Sequence, residues 1–215
     1  MRLYELKDMV KAGCHECEGC SRCCKGMGES VVLDPLDVYR LTIHLGQTFE
    51  ELLRKQAALH VEEGIILPHL VMAGREEQCV FLNEQGRCSI HACRPGLCRT
   101  FPLGRNYESG KLTYFLLEEC PKENKTKVKV GKWIDTQALP QNQDFLVRWH
   151  YLVKGLKERA KALQTAEDGG SMAQEEIKKM SLRLLRIFYL KPYEANIDFY
   201  SQFYERAEEM ERLYE

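Results

Sequence analysis

The chain has 215 residues, 31 of them basic and 32 acidic, for a formal net charge of −1, and 44% are hydrophobic. That length buries a core without metal or disulfide staples, and the charge balance excludes a general nucleic-acid or anionic-membrane surface. Ten cysteines are more than packing alone asks for, and in a reducing compartment they point to metal or redox chemistry rather than a disulfide framework.

The opening MRLYELKDMVKAG lacks the continuous apolar segment of a signal peptide, and no later run is long enough to cross a bilayer. The expectation is a soluble cytoplasmic protein. The stretch from Cys14 to Cys24, CHECEGCSRCC, then puts five thiols into eleven residues. Counted from Cys14 it reads C-x2-C-x2-C-x3-C through Cys17, Cys20 and Cys24, the ligand rhythm of bacterial ferredoxins, with Lys25 where their proline stands. Counted from Cys17 it reads CxxCxxCC. At helical pitch Cys17, Cys20 and Cys24 fall within about 60° of one another, Cys14 widens the arc to about 120°, and Cys23 points elsewhere. Gly13 and Gly19 argue for a loop that wraps its backbone N–H groups around metal-bound sulfur.

Val31-Val32-Leu33 is a short strand candidate. Asp34-Pro35 with Asp37 opens a helix that stops at Gly46, and Thr48-x-x-Glu51 caps a second with Phe49, Leu52, Leu53 and Leu59 on its buried side. Ile65 to Met72, broken by Pro68, reads as an extended edge in which His69 is a packing residue more than a ligand. The second cysteine group, CVFLNEQGRCSIHACRPGLC from Cys79 to Cys98, starts as a hairpin around Asn83 to Gly86, which can set its end thiols side by side. Cys93 and Cys98 flank the turn Arg94-Pro95-Gly96. A strand over Leu112 to Glu119 delivers Cys120-Pro121, a common ending for a cluster ligand. Lys125 to Ile134 alternates as an edge strand guarded by lysines. Three helices follow: from about Asn142 to Leu163, from a capping box at Ser171-x-x-Gln174 to before Pro192, and from Tyr193 to Tyr214.

The pattern therefore predicts an α+β fold. A small, irregular, cysteine-rich metal-binding domain with short strands and helices spans residues 1–135, and a mainly helical C-terminal part spans 136–215. Structural zinc sites usually draw two CxxC pairs, whereas the second group here has gaps of eight, four and four and no CxxC, which favours an iron-sulfur cluster, preferably [4Fe-4S], with Zn2+ as the alternative. Arg94 and Arg99 flank Cys93 and Cys98; a guanidinium there favours the thiolate that metals need and could also grip an anionic cofactor, or simply form surface ion pairs. No nucleotide-binding or hydrolase motif occurs.

Taken together, Cys17-x2-Cys20-x2-Cys23-Cys24, Asp37-Val-Tyr-Arg-Leu41, Gly86-Arg-Cys88-Ser-Ile90 and Cys93-Arg-Pro-x-x-Cys98-Arg-x-Phe-Pro102 resemble the YkgJ or CxxCxxCC cysteine-cluster family, described as zinc- or iron-chelating. The resemblance covers roughly residues 14 to 121. It implies metal ligation by Cys17, Cys20, Cys23, Cys24, Cys79, Cys88, Cys93, Cys98 and Cys120, with Cys14 an addition that supplies an alternative ligand. Flagellin lysine methylases carry a related cluster, so the resemblance also admits, by analogy, a methyltransferase using S-adenosylmethionine and acting on protein lysine. The expected roles are thus an accessory or redox module whose C-terminal helices dock a protein partner, that methyltransferase, or a structural zinc module for protein interaction.

Overall fold

The computed structural model describes residues 1–13, 20–165 and 170–214. Its strands, numbered along the chain, are β1 (Leu3–Tyr4), β2 (Met9–Gly13), β3 (Ala57–Glu62), β4 (Ile65–Leu70), β5 (Met72–Ala73), β6 (Gln78–Cys79), β7 (Leu103–Asn106), β8 (Thr113–Leu116) and β9 (Thr126–Lys129). Its helices are α1 (Pro35–Leu45), α2 (Phe49–Leu52), α3 (Gly96–Thr100), α4 (Val130–Ile134), α5 (Leu139–Thr165), α6 (Ser171–Leu185) and α7 (Phe199–Arg212). Short strands in small sheets with a helical C-terminal part make the fold α+β. The elements gather into two units, each assembled from two stretches of chain: Met1–Val31 with Val71–Val147, and Val32–Leu70 with Arg148–Glu215.

In the first unit β8 lies between β1 and β7, and β2 pairs antiparallel with β9. Gly13 sits opposite Thr126, where an added Cβ would crowd the threonine Oγ1 and approach its carbonyl oxygen at 3.2 Å, so glycine favours the close approach of the two strands there. The edge strand expected from Lys125 to Ile134 ends early, because the chain turns into α4 at Val130. Val128 and Val130 share the period of a strand, but Val130 and Ile134 share that of a helix, and both of the latter are buried. The first amides of α4 donate to the carbonyls of Asp8 (3.0 Å) and Leu6 (2.9 Å), which satisfies groups a helix start leaves open. Trp133 Nε1 then reaches the carbonyls of Thr100 and Phe101 at 3.1 and 3.2 Å, tying α4 to α3.

In the second unit α1 starts and stops as its residues dictate, with a reciprocal capping box between Asp34 and Asp37, Pro35 in the first turn and Gly46 left-handed past the end. The helix expected to continue from Thr48 through Leu59 closes after Leu52. Residues 57–62 instead form β3, which pairs rung for rung with β4 across a Glu63-Gly64 turn whose φ values, 51° and 84°, are both positive. Such a turn matches the strand twist of a two-residue hairpin, and Leu59, counted on a helical stripe, is exposed on β3. Val32 bridges His69, and Leu33 N–H donates to the Pro68 carbonyl, so residues 32–33 form a short third edge. His69 is buried with its ring 5.0 Å from that of His60, a packing residue.

Helix α6 packs on β4, and its Ser181 hydroxyl donates to the Gly64 carbonyl at 2.9 Å while accepting from Ile66 N–H at 3.2 Å. Ser181, Met180 and Leu184 are fully buried in this contact face. The helix begins at Ser171 without the expected side-chain cap and runs into a π-helical turn, Arg186–Leu190. Arg206 of α7 closes that end, donating to the carbonyls of Ile187, Lys191 and Pro192 at 2.7–2.9 Å and stacking on the Tyr193 ring. The last helix starts at Phe199, capped by Asp198, rather than at Tyr193.

Candidate metal centre

The two cysteine groups are brought together by backbone pairing. Cys23 and Cys24 belong to a tight 3-10 turn, Arg22–Cys24, from which the chain leaves extended at Lys25. Lys25 bridges Gln78, Gly26 N–H donates to the Glu77 carbonyl at 2.9 Å, and Lys25 Nζ meets Glu76 Oε2 at 2.6 Å. The end of the first run is thereby stitched to β6, whose second residue is Cys79. Further on, Leu82 bridges Cys88 around the Asn83 to Gly86 turn, and Ser89 donates to the Phe81 carbonyl from both its N–H and its hydroxyl. This is the expected hairpin in abbreviated form. A second 3-10 turn, His91–Cys93, and then α3 carry Cys93 and Cys98.

The consequence is a shared electrostatic environment. The Cys24 thiol donates to Cys23, which brings the Cys23 pKa down to about 7 against the opposing effect of burial, with the Arg94 guanidinium helping. Cys24 correspondingly keeps its proton: that hydrogen bond, burial and the charges of Cys23, Cys79 and Cys98 all raise it. Cys79 and Cys88 are raised first by burial and also by the charge on Cys23. Each of these last two sulfurs is favoured as thiolate by the backbone N–H two residues on, Phe81 for Cys79 and Ile90 for Cys88. Amides aimed at sulfur are what thiolate ligands of metals use to offset their charge.

The thiols whose fields overlap are thus Cys23, Cys24, Cys79, Cys88 and Cys98. Cys20 and Cys120 are half-buried in the same unit, Lys125 Nζ holding the Cys120 carbonyl at 2.9 Å, and Cys93 is buried at the end of its turn. All eight are thiols outside any disulfide. Cys14 and Cys17 lie outside the described residues. Among the described residues no three side chains of the ligand types stand close enough to grip one ion as placed. The donor set nevertheless fits a cation: the charge on Cys23 opposes ionisation of Cys24, Cys79 and Cys88, and positive charge between these sulfurs removes the opposition.

The two arginines flanking Cys93 and Cys98 part company. Arg99 is 8% exposed and donates to the carbonyls of Asp135 (2.9 Å) and Ala92 (3.0 Å), clamping α3 to the end of α4. Arg94 instead donates from Nη1 to His91 Nε2 at 2.5 Å, and its charge helps to lower the pKa of Cys23 and Cys88. The contributions of Lys25, Gln78, Phe81 and Ile90 were missed from sequence. The last two carried a signal, an apolar residue two places after each hairpin cysteine.

A family model described as "CxxCxxCC: putative zinc- or iron-chelating domain" matches residues 16–128. No curated protein and no solved structure matches the chain.

Proposed function

We propose, from the premise that this chain belongs to the CxxCxxCC family of zinc- or iron-chelating domains, that its metal is iron in a [4Fe-4S] cluster held by cysteine thiolates. The ligands come from Cys17, Cys20, Cys23, Cys24, Cys79, Cys88, Cys93, Cys98 and Cys120, with Cys14 as the alternative. The observation that carries this reading is the overlap of the fields of Cys23 and Cys24 with those of Cys79, Cys88 and Cys98, a thiol-only donor set, and iron is favoured over zinc by a second group that has no CxxC pair. A bound cluster supplies one-electron transfer, so the protein serves as a redox or accessory module, its C-terminal helices docking a protein partner.

The test is purification under strict exclusion of air, with iron, sulfide and zinc analysis alongside paramagnetic resonance of the reduced sample. A brown protein with about four irons and four sulfides per chain is expected, and Cys23→Ser and Cys88→Ser should each lose most of that metal. A colourless protein loaded only with zinc overturns the iron assignment. A protein that takes up neither metal overturns the thiolate centre itself.

A further inference from the structure

Helix α5 carries a glycine that the packing of the chain does not use. Gly155 stands within its 27 residues, where glycine weakens a helix, yet a Cβ built there would meet nothing within 4 Å. The free space belongs to a cavity of about 360 Å³ lined by α5, α7 and Tyr214, all within the second unit. Sites for small ligands run from roughly 300 to 1,000 Å³, so this one suits a small molecule. Arg148, Leu152, Gly155, Leu156 and Arg159 recur at the spacing of one helix face. Leu152, Leu156 and, from α7, Met210 are buried and make the lining mostly apolar.

The two ends of that face differ in charge. At one end Arg148 pairs with Glu211, and the charges cancel. At the other, Arg159 donates from Nη1 to the Tyr214 carbonyl at 3.1 Å and lies over the Tyr214 ring, while Arg183 reaches the Tyr214 hydroxyl at 3.1 Å. Neither of these last two guanidinium groups has a carboxylate within ion-pair distance among the described residues. Positive charge therefore stands unanswered beside an apolar cavity.

We propose that this cavity binds a small amphiphilic anion, with its apolar body over the bare backbone at Gly155 and its anionic head on Arg159, where Arg183 adds a second positive charge. Glycine is the residue that lets a ligand approach a backbone closely, and its cost to the helix is then offset by the bound molecule. A guanidinium offers paired donors to the oxygens of a carboxylate or a phosphate, which puts the head at the Arg159 end rather than at the neutralised Arg148 end. The site uses no thiol and does not depend on which metal the cysteines hold.

The experiment titrates the full chain calorimetrically with decanoate, decyl phosphate and decanol, each below the concentration at which it forms micelles. At least one of the two anions should saturate a single site per chain, the tighter one identifying the head, and decanol should bind roughly 10-fold more weakly or not at all. Arg159→Gln should weaken the anion roughly 10-fold and leave decanol unchanged. Gly155→Leu, whose side chain enters the cavity, should abolish binding. Gly155→Ala should bind more weakly while melting higher than wild type, a combination that a merely structural glycine would not give. Wild type that takes up neither anion overturns the proposal, and so does decanol that binds as tightly as they do. Undiminished binding by Gly155→Leu, or by Gly155→Ala where the leucine variant loses its helical circular dichroism, places the ligand elsewhere and overturns it as well.

Discussion

Three phenols show how single residues tie this fold to pH. Burial raises the pKa of Tyr114, of Tyr189, whose hydroxyl donates to the Leu33 carbonyl at 2.9 Å, and of Tyr193 beneath the Arg206 guanidinium. An unfolded tyrosine ionises near pH 10. Below about that value neither state has lost the protons and these groups leave stability unchanged; above it the unfolded chain releases them first, so stability falls as pH rises. Ultraviolet titration should show these three of the ten tyrosines ionising only together with loss of the helical circular dichroism signal. If all ten titrate smoothly while the helices persist, the assignment is wrong. The thiols behave differently, because their partners are one another. That cysteines at these spacings bind metal was legible in the sequence; that Cys23 and Cys24 face Cys79 and Cys88 was not, since it depends on the pairing of Lys25 with Gln78, two residues with no distinguishing chemistry.

Elements with strong end signals formed where those signals stand. Helix α1 has its cap, its proline and its terminal glycine, and its ends match the reading from sequence. Helices α2 and α4 show the failure: each expectation extended one periodicity through residues that obey two, and the long-range partner decided between them. For Leu59 that partner is Pro68 on β4; for Val130 it is the Asp8 carbonyl. Helix α5 offers a direct test at this scale. Gly155 lies within its 27 residues, and an added Cβ would meet nothing within 4 Å. Glycine inside a helix costs about 0.5–1 kcal/mol relative to alanine, so Gly155→Ala should raise the melting temperature by a few degrees without altering metal content. A lower melting temperature would show that the site needs the bare backbone.

Across the whole molecule the order of segments matters more than their number. Each unit is completed by residues that arrive late: Val71–Val147 for the first, Arg148–Glu215 for the second. Sequence patterns locate helices and strands but not which distant stretch covers them, and the docking of α6 on β4 through Ser181 has no local signature. A fragment of residues 1–135 therefore lacks the helices that cover β4 and the Tyr189 hydroxyl that holds Leu33, leaving Leu33, Ile65 and Leu70 bare. It should elute as aggregate in size-exclusion chromatography and show no cooperative melting; a monomeric fragment with a sharp transition would refute this. No described helix is long and apolar enough to cross a membrane.

The interleaving also sets a timetable on the ribosome. Thiols 20 to 24 leave the exit tunnel long before their counterparts at 79 to 98, with the hairpin of residues 57–70 emerging between them and waiting in turn for α6. The first sulfurs are thus without their counterparts until the second cysteine group has been made, and the centre can be filled only after that.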